Sequence, residues 1–211
     1  MSTELLLVRH GETEGESSIR YHGRNDVPLS ELGRAQMRAV AAALASKRFT
    51  RVFASTLSRA AEGAHLIAGR SASIVCLEEF AEVDFGLFEG LTADEIRLRY
   101  PDEFERWNRA GLDTSYTYPG GESRAAFRSR VERGLSRMLQ MWDEGEASGD
   151  GPALVVAHRG VIRTIVRSLV GIEPVIELGS INTLERAGRW HARDLDITTH
   201  LEGLELRANG T

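Results

Sequence analysis

The sequence predicts an α/β fold, a three-layer α/β/α sandwich with a mainly parallel central sheet. Short apolar runs typical of buried strands alternate with longer segments of helical period. Two of these runs end alike: residues 5–8 lead into Arg9 and His10, and residues 153–157 lead into His158. Because open α/β sheets bind ligands at the carboxyl ends of their strands, we expect the two histidines to share one site.

The other elements follow from periodicity and capping signals. Ser30 is expected to cap a helix that runs to Leu44, and Thr92 with Glu95 has the pattern of a capping box at the start of another helix. Gly171 is expected to end the helix that follows His158. The further predicted strands are residues 51–54, 74–77, 181–184 and 190–197, and the further predicted helices are residues 57–67 and 127–142.

Composition limits the number of domains and the class of partner. The chain has 211 residues, of which 42% are hydrophobic, so we expect a single domain over residues 1–211. A formal charge of −5 argues against nucleic-acid binding, and any anionic ligand must be held by a local cluster. No segment has the length of a membrane span and the first residues lack a basic signal region, so we expect no membrane partner and a cytoplasmic location. A monomer or a homodimer is expected.

Cys76 is the single cysteine of the chain. One cysteine excludes an internal disulfide and a cysteine-based zinc site, and it suits a reducing compartment. Because Cys76 lies in the apolar run 73–77 and free cysteine is mostly buried, we expect it to be a small core residue.

The pairing of histidine with arginine points to phosphoryl transfer. An imidazole nitrogen accepts a phosphoryl group near neutral pH, and guanidinium groups match the oxygens of a phosphate. The candidates for these roles are His10, His158, Arg9, Arg59 and Arg163.

A phosphomonoester also needs a proton donor, because its alkoxide is a poor leaving group. Glu82 is the candidate, since its aromatic and aliphatic neighbours favour the neutral form of a carboxyl group. Asp84 and Glu89 lie in the same segment and remain alternatives.

Six sequence motifs follow one another in a fixed order. The motifs are Arg9-His10-Gly11-Glu12-Thr13, the segment 23–36 with Gly23, Asp26, Pro28 and Leu29, the segment Ser55-Thr56-Leu57-Ser58-Arg59-Ala60, the acid-bearing segment 82–92, Gly121-Glu122-Ser123, and residues 155–158. In this order they make the chain resemble the histidine phosphatase superfamily, with its phosphoglycerate mutase-like fold, over nearly the whole length. Within it, the chain resembles the alpha-ribazole phosphatase and broad-specificity phosphatase branch.

The resemblance implies a phosphohistidine mechanism that requires no metal and no other cofactor. It makes His10 the nucleophile and His158 a second contact to the phosphoryl group, while Arg9 and Arg59 hold the phosphate oxygens. It makes Glu82 the acid that protonates the leaving oxygen and the base that then assists water. The cations replace the charge that magnesium supplies in other phosphoryl-transfer sites.

The chain departs from the family pattern at four positions. Glu16 stands where an asparagine usually binds phosphate, so Glu16 must turn away, pair with Arg20 or be protonated, and Ser17 or Ser18 then supplies the hydrogen bond. Arg159 stands where glycine is usual, which implies altered loop geometry or an added cation. The other two departures are Gly63 in place of threonine and Phe88 in place of tryptophan.

Substrate contacts are expected from two regions. Residues 92–122 are expected to form a cap that selects the organic part of the substrate, with Arg106, Trp107, Arg109, Tyr116 and Tyr118. The remaining expected substrate-binding residues are Arg9, Glu16, Ser17, Arg20, Gly23, Arg59, His158 and Arg159.

Three functions remain open at this point. The first is a phosphomonoester hydrolase for a small phosphorylated metabolite. The second is a cofactor-dependent phosphoglycerate mutase, and the third is a phospholigand-binding module without catalysis. The short segment 89–120 favours the hydrolase, because mutases of the family carry a longer insertion there.

Overall fold

The computed structural model describes residues 3–15, 19–111, 113–144 and 151–204. The strands are β1 (Thr3–Arg9), β2 (Arg20–Tyr21), β3 (Arg51–Ser55), β4 (Ile74–Leu77), β5 (Leu91–Thr92), β6 (Ala153–Ala157), β7 (Ile181–Ala187) and β8 (Arg189–Ile197). The α-helices are α1 (Glu31–Ala43), α2 (Ser58–Ala68), α3 (Ala93–Arg99), α4 (Pro101–Ala110), α5 (Arg124–Asp143) and α6 (Arg159–Val170). None of these helices has the length and apolar character that crossing a membrane requires.

Six of the strands form one sheet in the order β4-β3-β6-β1-β7-β8. The first four are parallel, and β7 and β8 add an antiparallel edge, so the predicted mainly parallel sheet is confirmed. β1 and β6 are central neighbours, with Arg9 opposite Ala157. The residues that follow these two strands therefore leave the sheet at the same edge.

Helices cover both faces of this sheet. Leu5 and Leu7 pack on the side of α5 and α6, whereas Leu6 and Val8 pack on the side of α1 and α2. Successive side chains of a strand point to opposite faces, so a strand that is apolar at four consecutive positions needs cover on both sides. The predicted three-layer sandwich is confirmed.

The predicted helix ends are also confirmed. The hydroxyl of Ser30 accepts a hydrogen bond from the backbone nitrogen of Gly33 at 3.1 Å and caps α1. Thr92 and Glu95 form the reciprocal bonds of a capping box at the start of α3. Gly171 ends α6 in the left-handed conformation, with φ of 74°.

Two features of the fold differ from expectation. Cys76 is exposed, so the prediction of a buried core residue is wrong. β4 is an edge strand, and the alternation that turns Leu77 inward turns Cys76 to the other, open side. The pairing of β2 with β5 was not expected, because two-residue strands are too short to show a period.

Candidate active site

His10 and His158 lie side by side at the carboxyl ends of β1 and β6. Their ring centroids are 5.1 Å apart and the rings are inclined at 64°. The backbone nitrogen of His10 donates to the carbonyl oxygen of Ala157 at 3.0 Å, which ties the two strand ends together. The parallel register of two central strands thus brings together two histidines that are distant in sequence.

The environment of His10 fixes its tautomer and its charge. Its Nδ1 lies 2.7 Å from the carbonyl oxygen of Gly11, and because a carbonyl only accepts, Nδ1 carries the proton and Nε2 keeps a lone pair. Burial, followed by the positive charges of Arg59 and Arg9, holds the pKa of His10 well below its usual range. The ring is therefore neutral at pH 7, with Nε2 available as a nucleophile.

His158 is completely buried. Its Nε2 lies 2.8 Å from the hydroxyl of Ser55 at the end of β3, and this hydroxyl also accepts from the backbone nitrogen of Leu57. Burial and the charge of Arg59 hold the pKa of His158 well below its usual range. Its Nδ1 is buried and has no hydrogen-bond partner in the described part of the chain.

Arg9 and Arg59 are held by backbone carbonyls. Arg9 donates to the oxygen of Ile176 at 2.9 Å, and burial lowers the pKa of Arg9 to about 10, against the opposing charge of Glu82. Arg59 is only 2% exposed and donates to the oxygens of Gly23 and Asn25 at 2.7 and 2.8 Å. Neither guanidinium has its positive charge cancelled by a direct ion pair with a described residue, so both remain able to attract an anion.

Glu82 lines the same cavity as His10. Its Oε1 accepts from the backbone nitrogen of Val83 and its Oε2 from that of Gly160, both at 3.0 Å. A Cβ on Gly160 would lie 2.5 Å from Oε1 of Glu82, so a larger residue there would displace this carboxyl group. Two backbone donors from separate segments therefore fix the carboxyl group.

The two alternative acids have structural contacts instead. The carboxylate of Glu89 accepts from the backbone nitrogens of Arg24, Asn25 and Phe85, and burial raises its pKa. Asp84 accepts from the backbone nitrogen of Gly86 at 2.9 Å. Of the three carboxylates, Glu82 lines the cavity.

The site opens into a cavity of about 340 Å³. Its lining consists of Arg9, His10, Ile19, Arg20, Tyr21, His22, Gly23, Arg59, Glu82, Phe85, Arg159, Glu177 and Leu178. A second cavity of about 410 Å³ adjoins it, and the two share Tyr21, Glu82, Phe85 and Arg159.

The other residues expected at the site have different surroundings. Arg20 lines the first cavity and is paired with Glu95 at 2.5 Å. Gly23 has φ of 54° and supplies a carbonyl to Arg59, and a Cβ there would lie 2.2 Å from the Glu89 carboxylate. Glu16, Ser17 and Ser18 lie outside the described residues.

Arg159 and Arg163 extend the site toward the second cavity. Arg159 is the first residue of α6 and does not have a positive φ, so its backbone does not require glycine. Its exposed side chain lines both cavities, as the expected added cation. Arg163 lines only the second cavity.

Sequence reasoning did not find the arginine that holds the acid-bearing loop. Arg130 of α5 donates to the carbonyl oxygens of Glu79, Ala81 and Glu82, and it pairs with Glu122 at 2.5 Å. Glu122 also accepts from the backbone nitrogen of Asp84. The Gly-Glu-Ser motif signalled Glu122, but nothing distinguished Arg130 among the many arginines of α5.

The described residues around the site do not form a cluster of potential metal ligands. Across residues 3–15, 19–111, 113–144 and 151–204, no three His, Cys, Asp or Glu side chains group as metal ligands. The ionisable groups that line the first cavity include imidazoles, guanidinium groups and the carboxyl groups of Glu82 and Glu177.

Known proteins resemble the chain in sequence and in fold. A bifunctional protein of Mycobacterium tuberculosis is 38% identical over 167 residues, which are 78% of this chain but 43% of that protein, so the chain spans less than half of that relative. A glucosyl-3-phosphoglycerate phosphatase of Mycolicibacterium vanbaalenii is 31% identical over 195 residues, 89% of this chain and 85% of that protein. The crystal structure of the alpha-ribazole phosphatase from Shigella flexneri, 24% identical, has the same fold with a TM-score of 0.80, over 92% of this chain and 96% of that one.

A family profile agrees with these similarities. The profile of the histidine phosphatase superfamily (branch 1) matches residues 5–190. The match covers both strand-end histidines, Arg59 and the acid-bearing loop. The resemblance seen in the sequence motifs is confirmed, and the chain belongs to the histidine phosphatase superfamily.

Proposed function

We propose that the protein hydrolyses the phosphomonoester of a small metabolite through a phosphohistidine intermediate, without a metal ion. One observation carries the proposal: a neutral His10 lies beside His158, and Arg9, Arg59 and Glu82 line the same cavity. These groups comprise a nucleophile, an anion clamp and a proton donor. Related proteins are named phosphatases, which supports hydrolysis.

Buried nitrogens around His10 support a phosphate ligand. Arg9 Nε, His22 Nε2 and His158 Nδ1 are buried without a hydrogen-bond partner among the described residues. Buried polar groups are rarely left unpaired in native proteins, so each of them calls for a partner. The oxygens of a phosphate, held by Arg9 and Arg59, are suitable partners.

The first chemical step transfers the phosphoryl group to His10. Nε2 of His10 attacks phosphorus and forms an N–P bond, while the bond from phosphorus to the ester oxygen breaks. Glu82 gives its proton to that oxygen, so an alcohol leaves. The proton on Nδ1 of His10 faces the Gly11 carbonyl, which stabilises the positive charge that develops on the ring.

The second step returns the enzyme to its starting state. The carboxylate of Glu82 takes a proton from water, the oxygen of that water attacks phosphorus, and the N–P bond breaks. Inorganic phosphate leaves and Glu82 is again protonated. The fixed charges of Arg9 and Arg59 stabilise the phosphoryl oxygens in both steps, which is the part that a metal ion takes elsewhere.

The organic part of the substrate is assigned to the second cavity. Trp107 and Tyr118 of the proposed cap, residues 92–122, line it together with Tyr21 and Phe85. Tyr116 lies beneath Arg124, 4.9 Å from the guanidinium carbon, and supports that arginine.

A single domain, a cytoplasmic location and a monomeric or homodimeric state stay predictions.

The proposal is tested by hydrolysis of p-nitrophenyl phosphate in excess EDTA. The parent protein is expected to turn over, and His10→Ala to lose at least about a thousandfold in kcat, because its nucleophile is absent. His65→Ala is the control, since His65 is exposed on α2, and it should match the parent. Unchanged turnover in His10→Ala, or loss of all activity on chelation, contradicts the mechanism.

A mutase is distinguished by a separate measurement. The protein is supplied with 3-phosphoglycerate and 2,3-bisphosphoglycerate, and both isomerisation and free phosphate are followed. We expect phosphate release to dominate. Fast isomerisation with little free phosphate overturns the hydrolase proposal.

A further inference from the structure

We propose that the second cavity binds another anionic group, a carboxylate or a second phosphate, on the leaving portion of the substrate. The inference rests on the proposed function, because it places the scissile phosphate at His10. It assigns to the second cavity a substrate class: phosphomonoesters that carry a further negative charge a few bonds away.

Arginines line the cavity in two helical stripes. Arg159, Arg163 and Arg167 follow one another at intervals of four on α6, and Arg124 and Arg128 do so on α5. Residues four apart lie on one face of a helix, so each helix presents a continuous stripe. Both stripes line the same cavity of about 410 Å³.

The carboxylates near the second cavity do not balance the positive charge of the five arginines that line it. Glu173 is shared between Arg163 and Arg167, at 2.5 and 3.6 Å. Arg128 pairs with Glu132 at 2.8 Å.

Two arginines have side-chain N–H donors that are available to a ligand. Arg159 makes no hydrogen bond or ion pair with any described residue, and Arg163 Nε is buried without a partner in the described part of the chain. In a protein with a net charge of −5, a local excess of guanidinium groups at the mouth of the catalytic site indicates an anionic ligand.

The leaving group is directed into this cavity by Glu82. The acid must face the ester oxygen that it protonates, and that oxygen lies on the far side of phosphorus from His10. Glu82 lines both cavities, so the carbon skeleton attached to the oxygen passes Glu82 toward the arginines. Arg159, also shared by both cavities, lies along this path.

Aromatic rings form the wall between the two anion sites. Tyr21 contacts Phe85 and Trp107 edge to face, with centroids 5.3 and 5.4 Å apart, and Phe85 contacts Tyr118 in the same way at 4.9 Å. Such interlocked rings give a firm apolar surface. A carbon skeleton on this surface has a phosphate site at one end and guanidinium groups at the other.

The test compares substrates that differ only in the second charge. One pair is 3-phosphoglycerate against glycerol 3-phosphate, and the other is fructose 1,6-bisphosphate against fructose 6-phosphate, with p-nitrophenyl phosphate as reference. The variants are Arg159→Gln and Arg163→Gln. The control is Arg133→Gln, exposed on α5 and outside the lining of either cavity.

We expect the parent to prefer the more charged member of at least one pair by about tenfold in kcat/KM. The pair that shows the preference identifies carboxylate or phosphate as the group. Each cavity variant should remove most of that preference through KM, while all values for Arg133→Gln stay near those of the parent.

The two proposals fail in different ways. If p-nitrophenyl phosphate is hydrolysed but neither pair is discriminated, or the variants keep the parent's preference, the second anion site is refuted and the phosphatase proposal stands. If no ester is hydrolysed, the phosphatase proposal fails. The second site is then decided by calorimetric binding of the same pairs to the parent and to Arg163→Gln, where equal affinities refute it.

Discussion

The two adjoining cavities are built in opposite ways. Around the inner cavity, the one of about 340 Å³ that His10 lines, backbone carbonyls hold His10 and Arg59. His158, buried beside His10, is held by a buried hydroxyl. The outer cavity, the second one of about 410 Å³, is lined by exposed or half-buried arginines on helix surfaces. Groups held in place by buried hydrogen bonds suit one chemical step. Surface side chains of two helices, in contrast, can be substituted without disturbing the core. In the proposed function, the inner cavity carries out the reaction and the outer cavity selects the substrate.

Replacement of Arg59 by lysine should have a large effect on catalysis in the inner cavity. A lysine cannot donate to the carbonyls of Gly23 and Asn25 while also facing phosphate, so kcat/KM for p-nitrophenyl phosphate should fall about 10² to 10³-fold. Steady-state kinetics measures the change, with Arg38→Lys, exposed on α1, as control. A decrease of less than about threefold would show that Arg59 is not a phosphate clamp.

Replacement of Glu82 by glutamine should depend on the leaving group. Loss of the proton donor should lower kcat/KM, which reports the steps up to release of the alcohol, about 10² to 10³-fold for an alkyl ester such as glycerol 3-phosphate. The loss should be much smaller for p-nitrophenyl phosphate, whose leaving group needs no proton. Asp84→Asn is the matched control, because asparagine keeps the oxygen that accepts from Gly86. Equal losses for both esters, or a larger loss in Asp84→Asn, would transfer the acid role away from Glu82.

Replacement of Arg130 by methionine tests whether this residue of α5 positions the loop that carries Glu82 in the inner cavity. The variant leaves Glu122 and three carbonyl oxygens without their donor, so the free energy of unfolding should fall by about 2 kcal/mol. It should also lower kcat for glycerol 3-phosphate about tenfold through a misplaced Glu82.

Two controls separate positioning from stability. Arg137→Met removes the exposed pair with Glu79, and should change the free energy of unfolding by less than about 0.5 kcal/mol. Arg130→Lys should restore part of the stability. If kcat/KM for p-nitrophenyl phosphate and for glycerol 3-phosphate falls by the same factor in Arg130→Met, Arg130 does not act through Glu82.

The smallest expected effect is a pH dependence of stability that belongs to the inner cavity. His10 and His158 have pKa values well below the unfolded value, so the unfolded chain takes up their protons first as pH falls below about 6.5. Stability is therefore full above that pH and is lost on acidification. From pH 7 to 5.5 each histidine should remove about 1 kcal/mol.

Urea unfolding of the parent and of His158→Asn at the two pH values measures this dependence. The variant should lose about 1 kcal/mol less than the parent between pH 7 and 5.5. His65→Asn, which changes an exposed histidine, should keep the full dependence. A variant with the parent's slope would show that burial of His158 does not keep the ring neutral.

The sequence predicted the inner cavity well because its parts are local. An apolar run fixes a buried strand, and the residue after it must leave at the strand end, so His10 and His158 were placed by pattern and by parallel register. Caps at Ser30 and Thr92 were likewise set by neighbours within three positions. Cys76 was misjudged because an edge strand and a central strand have the same apolar pattern.

What the sequence by itself determined is thus the order of the layers, the two strand-end histidines and the residue types of a phosphoryl-transfer site. Tertiary structure alone decided that Glu82, rather than Asp84 or Glu89, faces the cavity, and that Arg130 holds its loop. Only the packing of α5 beside α6 brought the two arginine stripes to one cavity. The reason is physical: periodicity and capping act within a few residues, whereas the bond from Gly160 to Glu82 joins positions 78 apart and depends on how whole elements pack.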